Sequence, residues 1–529
     1  MIMDLLAQAA AGTPLWLPDL RERFSEASEA KKIVIRLVER QMLARDFELA
    51  LPMAESAKEK DFLLRFTASE IYNLLSAYSA REVRLYCDSA AAELLSALPE
   101  RFEAPDGLGK VRSIARRIHG EFRIAFAPIE AYTPLPSPAA DAPGDLGGKL
   151  RALCSCVENK GCVGIDIGGS DIKLAVSAGE KLLKLKEYDW NPAASPTAEG
   201  ILDPILGLIR ESKELLLKEG FSLDAVGISF PDIVISDRIV GGETPKTKGM
   251  RDNPKLDYER EFAKIRELKA NVLSLCAPGG CVRITNDGNM AAFSAALELA
   301  AGGADDMISE GVIAHSLGTD LGTGWLKEDG SIPAYPLEMY DLLLDLGDDL
   351  SASLPPEDLR STRNENSGMN GVRRYLGQAA AYRLAWRLDP SMLDGFVRQD
   401  GDLLVVPTAP EDLRKPCLEH LMRLASAGRP EAEEVFRQIG RNLSVVAREM
   451  NFIFGKTPPL RFLFGRFVKQ RRSFELLCEG FDEAQTGIRL EIADEELANT
   501  ALMHALSQTS GVTVAQFTQA IGSIYFAFS

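Results

Sequence analysis

The sequence predicts an α/β fold set behind a helical N-terminal region and a linker. Three observations carry this. Apolar positions recur at helical spacing through residues 1–128, a stretch rich in Pro, Ala, Gly and Asp follows, and from residue 161 strands alternate with helices. Within that last part, two glycine-rich hairpins share one layout.

The N-terminal region, 1–128, reads as a helical domain from segments such as EAKKIVIRLVERQMLARDFELAL (29–51). PIEAYTPLPSPAADAPGDLGG (128–148) has the composition of an extended connection, so 129–160 is assigned as a linker. An α/β region runs from 161 to the C-terminus, with residues 340–450 mainly helical. The final apolar stretch, GVTVAQFTQAIGSIYFAF (511–528), is apolar nearly all round, which predicts a buried helix.

Composition narrows the function. At 529 residues the chain exceeds one ordinary domain, and 46% hydrophobic with 26% charged residues is a globular balance. A net charge of −17 argues against a molecule-wide nucleic-acid surface. The basic run KVRSIARRIHGEFR (110–123) reads as a solvated helix face. MIMDLLAQAAAG lacks a basic signal-peptide start, and no run of about 18 apolar residues occurs, so a cytoplasmic protein without a membrane span is expected. Eight cysteines then read as reduced thiols. Cys154, Cys156 and Cys162 lack a fourth neighbouring ligand for zinc or an iron–sulfur cluster.

The first hairpin is VGIDIGGSDIKLAV (163–176). Its turn, Gly168-Gly169-Ser170, can offer backbone N–H groups and a hydroxyl to a phosphate, with Lys173 adding positive charge. A strand follows the glycines rather than a helix, so this is neither a Walker loop nor a dinucleotide fingerprint. Asp166 interrupts an apolar strand, a costly place for a carboxylate unless it faces a site, and Mg²⁺ is its natural counter-charge beside phosphates. The second hairpin, VIAHSLGTDLGTGWLK (312–327), repeats the glycine and hydroxyl pattern through Gly318 and Thr319. Between the two lies VGISFPDIVISDRIVGGETPKTKGM (226–250), where Ser229, Thr247 and Lys248 could present donors to a polyhydroxylated ligand. After CVRIT comes TNDGNMAAF (285–293). Asn286 and Asp287 suit a helix N-cap, and a carboxylate there can also face a cleft.

The order of these segments resembles the sugar-kinase branch of the actin-like ATPases, which spans the hexokinases and the ROK (repressor, ORF, kinase) family. DIGGSDIK is similar to that group's first phosphate loop and LGTDLGTG to its second, with Asp320 where glycine is common. SFP followed by TKG resembles the hexokinase sugar-binding pair, and TND resembles the motif that holds the catalytic base. The resemblance implies two ribonuclease-H-like lobes around a cleft, 161–305 and 306–529, the second with helical insertions, the C-terminal helix packing back on the first lobe, and ATP with Mg²⁺ between the hairpins. Asp166 would reach the metal. Gly168, Gly169, Ser170, Lys173, Gly318, Thr319 and Gly465 would hold phosphate or nucleotide. Ser229, Thr247, Lys248, Asn286 and Glu338 would hold the sugar, and Asp287 would take the hydroxyl proton.

The ROK signature E-x-G-H and its zinc-cluster motif are not present in the sequence, and RFLFGRFVKQ (461–470) keeps Gly465 without the usual second glycine. SGMNGVRRYLGQ (367–378) is assigned no site. The expected partners are a small sugar and no nucleic acid. The N-terminal region is a candidate for homodimer formation, partner docking or a lid. The competing readings are a ROK-like sugar-responsive regulator or weak sensor, and an actin-like ATPase without a small acceptor.

Overall fold

A computed structural model describes residues 1–39, 43–104, 107–136, 144–242, 244–347, 354–361, 371–400, 403–492 and 497–529. Part of the expected linker (137–143) and part of SGMNGVRRYLGQ therefore lie outside the described residues.

The N-terminal region is not a helical domain. It holds a four-stranded sheet in the order β2-β1-β3-β4, made of β1 (Lys31–Val38), β2 (Ala44–Leu51), β3 (Glu82–Cys87) and β4 (Arg123–Pro128). The same apolar residues fit both periods. Ile33, Ile35 and Leu37 alternate into the core, as do Phe47, Leu49 and Leu51 on the neighbouring strand, and the β-branched run Ile33-Val34-Ile35 favours the pleat. The helices around this sheet include α1 (Leu17–Ser25), α2 (Ala57–Tyr78) and α3 (Lys110–His119). Helix α2 starts at a capping box. Ser56 Oγ accepts the Glu59 N–H at 3.2 Å, and Glu59 Oε2 accepts the Ser56 N–H at 2.9 Å.

Nor is all of 129–160 a linker. Residues Leu146–Cys156 form a helix, because Leu146, Leu150 and Leu153 share one face and pack into a core between the lobes.

The first lobe is a five-stranded sheet in the order β11-β8-β5-β6-β7. Strands β5 (Gly161–Ile167), β6 (Asp171–Ala178) and β7 (Lys181–Asp189) form an antiparallel meander. Strands β8 (Ala225–Phe230) and β11 (Cys281–Asn286) then add in parallel beside β5. Helix α4 (Glu199–Lys218) covers one face with Ile201, Ile205 and Ile209, and a short ribbon, β9 (Val234–Ile235) and β10 (Arg238–Ile239), comes after β8.

From β11 the chain enters α5 (Asp287–Ala301) and crosses to the second lobe. Its sheet, β13-β12-β16-β17, repeats the plan: β12 (Val312–Leu317) and β13 (Leu321–Leu326) are antiparallel, and two further strands add in parallel beside β12. After a small ribbon, β14 (Arg398–Asp400) with β15 (Leu403–Val405), come α6 (Pro430–Phe454), β16 (Leu460–Gly465) and β17 (Arg489–Ile492). The repeated order of hairpin and then parallel strands is the ribonuclease-H-like arrangement of the actin-like ATPases.

The last helix, α7 (Val514–Phe526), lies directly on the first lobe's sheet. Its backbone comes so close that a Cβ on Gly227 would sit 1.7 Å from the Ser523 carbonyl oxygen. The N-terminal sheet and α2 share one continuous core with α6 and the second lobe's insertions. No helix among the described residues is long and apolar enough to cross a membrane.

Candidate active site

Both glycine-rich turns sit at the ends of equivalent strands, and the chain between them supplies the acidic junction. Asn286 ends β11 and caps α5: its Oδ1 accepts the Gly288 N–H at 2.8 Å, while its Nδ2 donates to the Asp232 carbonyl at 3.0 Å. Asp287 opens the helix, and its Oδ1 accepts the same Gly288 N–H at 2.9 Å. The cap therefore exists as geometry.

The first turn of α5 also joins the lobes. A Cβ on Gly288 would fall 2.4 Å from the Thr323 carbonyl oxygen, and one on Gly324 would fall 1.9 Å from the Gly288 carbonyl carbon. Asn289 Oδ1 accepts the Trp325 N–H at 3.0 Å. The start of α5 thus rests on the second hairpin while its strand belongs to the first lobe.

Asp166 projects near the end of β5. Ser229 Oγ donates to its Oδ1 at 2.8 Å, and the Lys173 ammonium lies 3.9 Å from its Oδ2. Burial pushes the Asp166 carboxyl up to about 6 against the pull of Lys173 and Ser229, and the nearby charges of Asp287 and Asp171 add to the rise. Lys173 also donates to Asp171 at 2.5 Å; burial alone would lower its ammonium, but Asp166 and Asp171 outweigh burial and raise it. Gly169 and Ser170 are exposed at the turn, and Ser170 Oγ donates to Asp171 at 3.0 Å.

In the second turn the Gly318 N–H donates to the Asp320 carbonyl at 3.1 Å, and Thr319 is exposed. Gly465 ends β16 beside Leu317, with φ of +97°. Asp320 pairs with Arg373 at 3.6 Å, and burial raises its carboxyl.

Two expected sugar ligands stand differently from the expectation. Ser229 is fully buried, and its hydroxyl is given to Asp166, with Gln519 Oε1 also 3.2 Å away. It props the carboxylate and does not line an open cleft. Lys248 is exposed at the start of a short helix, Lys248–Arg251, whereas Lys246 turns inward. Lys246 Nζ donates to the Pro231 carbonyl at 3.1 Å, and its side chain lies beside Gly169 of the first turn. It is also close enough to Asp320 to stabilise that carboxylate, so Lys246 stands between both turns. Thr247 is buried with its hydroxyl 3.0 Å from Tyr258 Oη.

Glu338 is buried, and its backbone N–H donates to the Ser76 carbonyl of α2 at 3.0 Å. Burial and the neighbouring Asp341 push its carboxyl up to about 8, and Asp232 of the first lobe adds to the rise. Two residues escaped sequence reasoning besides Lys246. Asp232 comes directly after Ser229-Phe230-Pro231, and an acid closing an apolar strand was its only signal. Lys110, in the run read as a solvated face, pairs with Asp341.

No family model matches the chain, and no curated protein matches it. Among solved structures it is similar to a ROK hexokinase from Thermus thermophilus, at 20% identity over 66% of this chain and 97% of that one, TM-score 0.41. That structure is one of several ROK-family proteins among the solved structures similar to this chain. Others are a ROK glucokinase from Streptomyces griseus in complex with glucose and AMPPNP (20% identity, 65% and 98% covered, TM-score 0.39) and a ROK transcriptional regulator homologous to the E. coli Mlc protein (14%, 70% and 81%, 0.42). The fold assignment itself rests on the strand order of the two sheets.

Proposed function

We propose that the protein is a sugar kinase that moves the γ-phosphoryl group of ATP to a hydroxyl of a hexose or related sugar. The observation that carries this reading is the joint at Gly288 and Gly324. It puts Asp287 at the seam between the two hairpins, with its charge felt by the half-buried Asp166. The two exposed turns would hold the triphosphate, with Lys173 and Lys246 balancing its charge. Asn286 would orient the acceptor, and Asp287 would accept its proton as the oxygen attacks phosphorus; positioning supplies most of such a rate.

Magnesium fits Asp166. Among the described residues no group of three or more His, Cys, Asp or Glu side chains could hold a metal alone. A half-buried carboxylate raised by desolvation and by a like charge gains from a dication shared with phosphate oxygens. When bound with the nucleotide, Mg²⁺ supplies neutralisation of phosphate charge.

The test is ATP-dependent phosphorylation across a sugar panel, with Asp287→Ala as control. The variant should lose roughly 10²–10⁴-fold in kcat while ATP affinity holds. Near-wild-type turnover sinks the assignment. A second reading, a catalytically weak sugar sensor, draws on Asp320, whose carboxylate stands in the second turn and would oppose phosphate. Sugar binding without turnover of any acceptor would favour it.

A further inference from the structure

The stretch SGMNGVRRYLGQ carries no assigned site, yet its described end, 371–378, packs on the second glycine-rich turn. The Gln378 N–H donates to the Gly318 carbonyl at 3.0 Å, and a Cβ on Gly377 would fall 2.4 Å from the Thr319 carbonyl oxygen. That same point lies 3.1 Å from the Arg373 carbonyl oxygen. The main chain therefore sets Arg373 beside the tip of the turn.

The guanidinium of Arg373 is placed but not hydrogen-bonded. Its Cζ lies 4.4 Å from the centre of the Tyr340 ring. Nε stands 3.6 Å from Asp320 Oδ1 and Nη2 stands 3.7 Å from Asp341 Oδ1, both beyond hydrogen-bond distance. Nε is buried without a hydrogen-bond partner, and the guanidinium makes no hydrogen bond among the described residues. Asp341 has a closer cation in Lys110. Asp320 feels Arg373 more strongly than it feels Lys110 or Lys246. The Arg373 side chain is 35% exposed and that of Asp320 40%, so this long ion pair meets solvent and holds little by itself.

We propose that Arg373 is a phosphate ligand of the second turn, and that Asp320 is its resting partner, displaced by an incoming polyphosphate. This rests on the kinase reading for naming the anion as a nucleotide triphosphate, but not for its binding. An arginine fork matches two phosphate oxygens at once, and the Tyr340 face fixes the plane of this one. An anion on Gly318 and Thr319 meets the fork where the Asp320 carboxylate stands, and exchanges a long ion pair for charge-assisted hydrogen bonds that satisfy Nε. The exchange also accounts for an acid in a turn suited to anions: Asp320 balances Arg373 when no phosphate is bound.

The experiment is calorimetry on the full-length protein with Mg²⁺, titrating AMPPNP and, separately, inorganic tripolyphosphate. Arg373→Met should weaken both by about ten-fold or more, as one charge-assisted hydrogen bond implies, and Arg373→Lys should recover part of the loss. Asp320→Asn should tighten both by about three-fold or more, and that gain should shrink once Arg373 is methionine, a coupling that a merely structural ion pair does not produce. Affinity within about two-fold of wild type in Arg373→Met overturns the proposal, and so does weaker binding in Asp320→Asn. Should Arg373→Met not fold, Asp320→Asn decides alone. A wild type that binds neither anion also overturns the proposal. Anion binding that Arg373→Met weakens, without transfer to any sugar, sinks the kinase reading and leaves this ligand standing.

Discussion

Ser229 gives its hydroxyl to Asp166 at 2.8 Å, and this bond helps keep a half-buried carboxylate ionised. Removing it in Ser229→Ala should raise the Asp166 pKa further above about 6, by roughly one unit for a charged hydrogen bond. Activity that needs ionised Asp166 then loses its acid limb at higher pH. A kcat profile from pH 5 to 8 checks this, and an unmoved limb would remove Asp166 from the site.

Lys246 and Lys248 offer a direct contrast. Lys246→Met should lower kcat/KM roughly ten- to hundred-fold, the value of one charge-assisted contact. Lys248→Met should stay within about two-fold, because its side chain is exposed. Steady-state kinetics on both variants separates the two lysines. The opposite ranking would restore Lys248 as the ligand.

Gly324→Ala places a methyl group into the Gly288 backbone, 1.9 Å from its carbonyl carbon. The lobes must part at the seam. Overpacking of this kind costs about 1–3 kcal/mol, read as a lower melting temperature. Turnover should fall further than stability explains, since Asp287 moves with its helix.

Arg21 of α1 pairs with Glu70 of α2 at 2.7 Å and with Glu449 of α6, all largely buried. Arg21→Met strands two buried acids and should cost about 3–5 kcal/mol. Chemical denaturation measures it; a loss below about 1 kcal/mol would mean that the two acids share a proton without needing the arginine.

Glu338 also sets a pH dependence of stability. Its folded carboxyl, near 8, lies above the ordinary carboxylate value. The folded state therefore binds a proton that the unfolded chain releases. That contribution is complete below the unfolded pKa and is lost as pH rises through about 8. The melting temperature should fall from pH 5 to pH 8.5, and Glu338→Gln should flatten the slope.

Much of the fold was legible because its elements are punctuated locally. The glycine turns at 168–169 and 318, the Asn286 cap and the short apolar runs of β5 and β12 each carry their own signal. The N-terminal sheet was not, because KKIVIRLV satisfies helical and strand spacing alike and only packing against α2 decides. The site divides the same way. Asp166 and Asp287 announce themselves by where a charge interrupts apolar sequence. Which of two lysines two apart faces a cleft depends on the 3₁₀ turn Pro245–Thr247, and Asp232 depends on Gly242, ten residues away.

The helix α2 holds Glu338 in place through the Ser76 carbonyl, and the sheet beside it shares its interior with α6. The consequence concerns how such a chain can be cut. The minimal catalytic unit suggested by its motifs begins near residue 161, yet the unit that folds reaches back to the first helices. Trimming to the motifs would bare a wide apolar face and leave Glu338 without its anchor. In this molecule the boundary of the chemistry and the boundary of cooperative folding fall in different places.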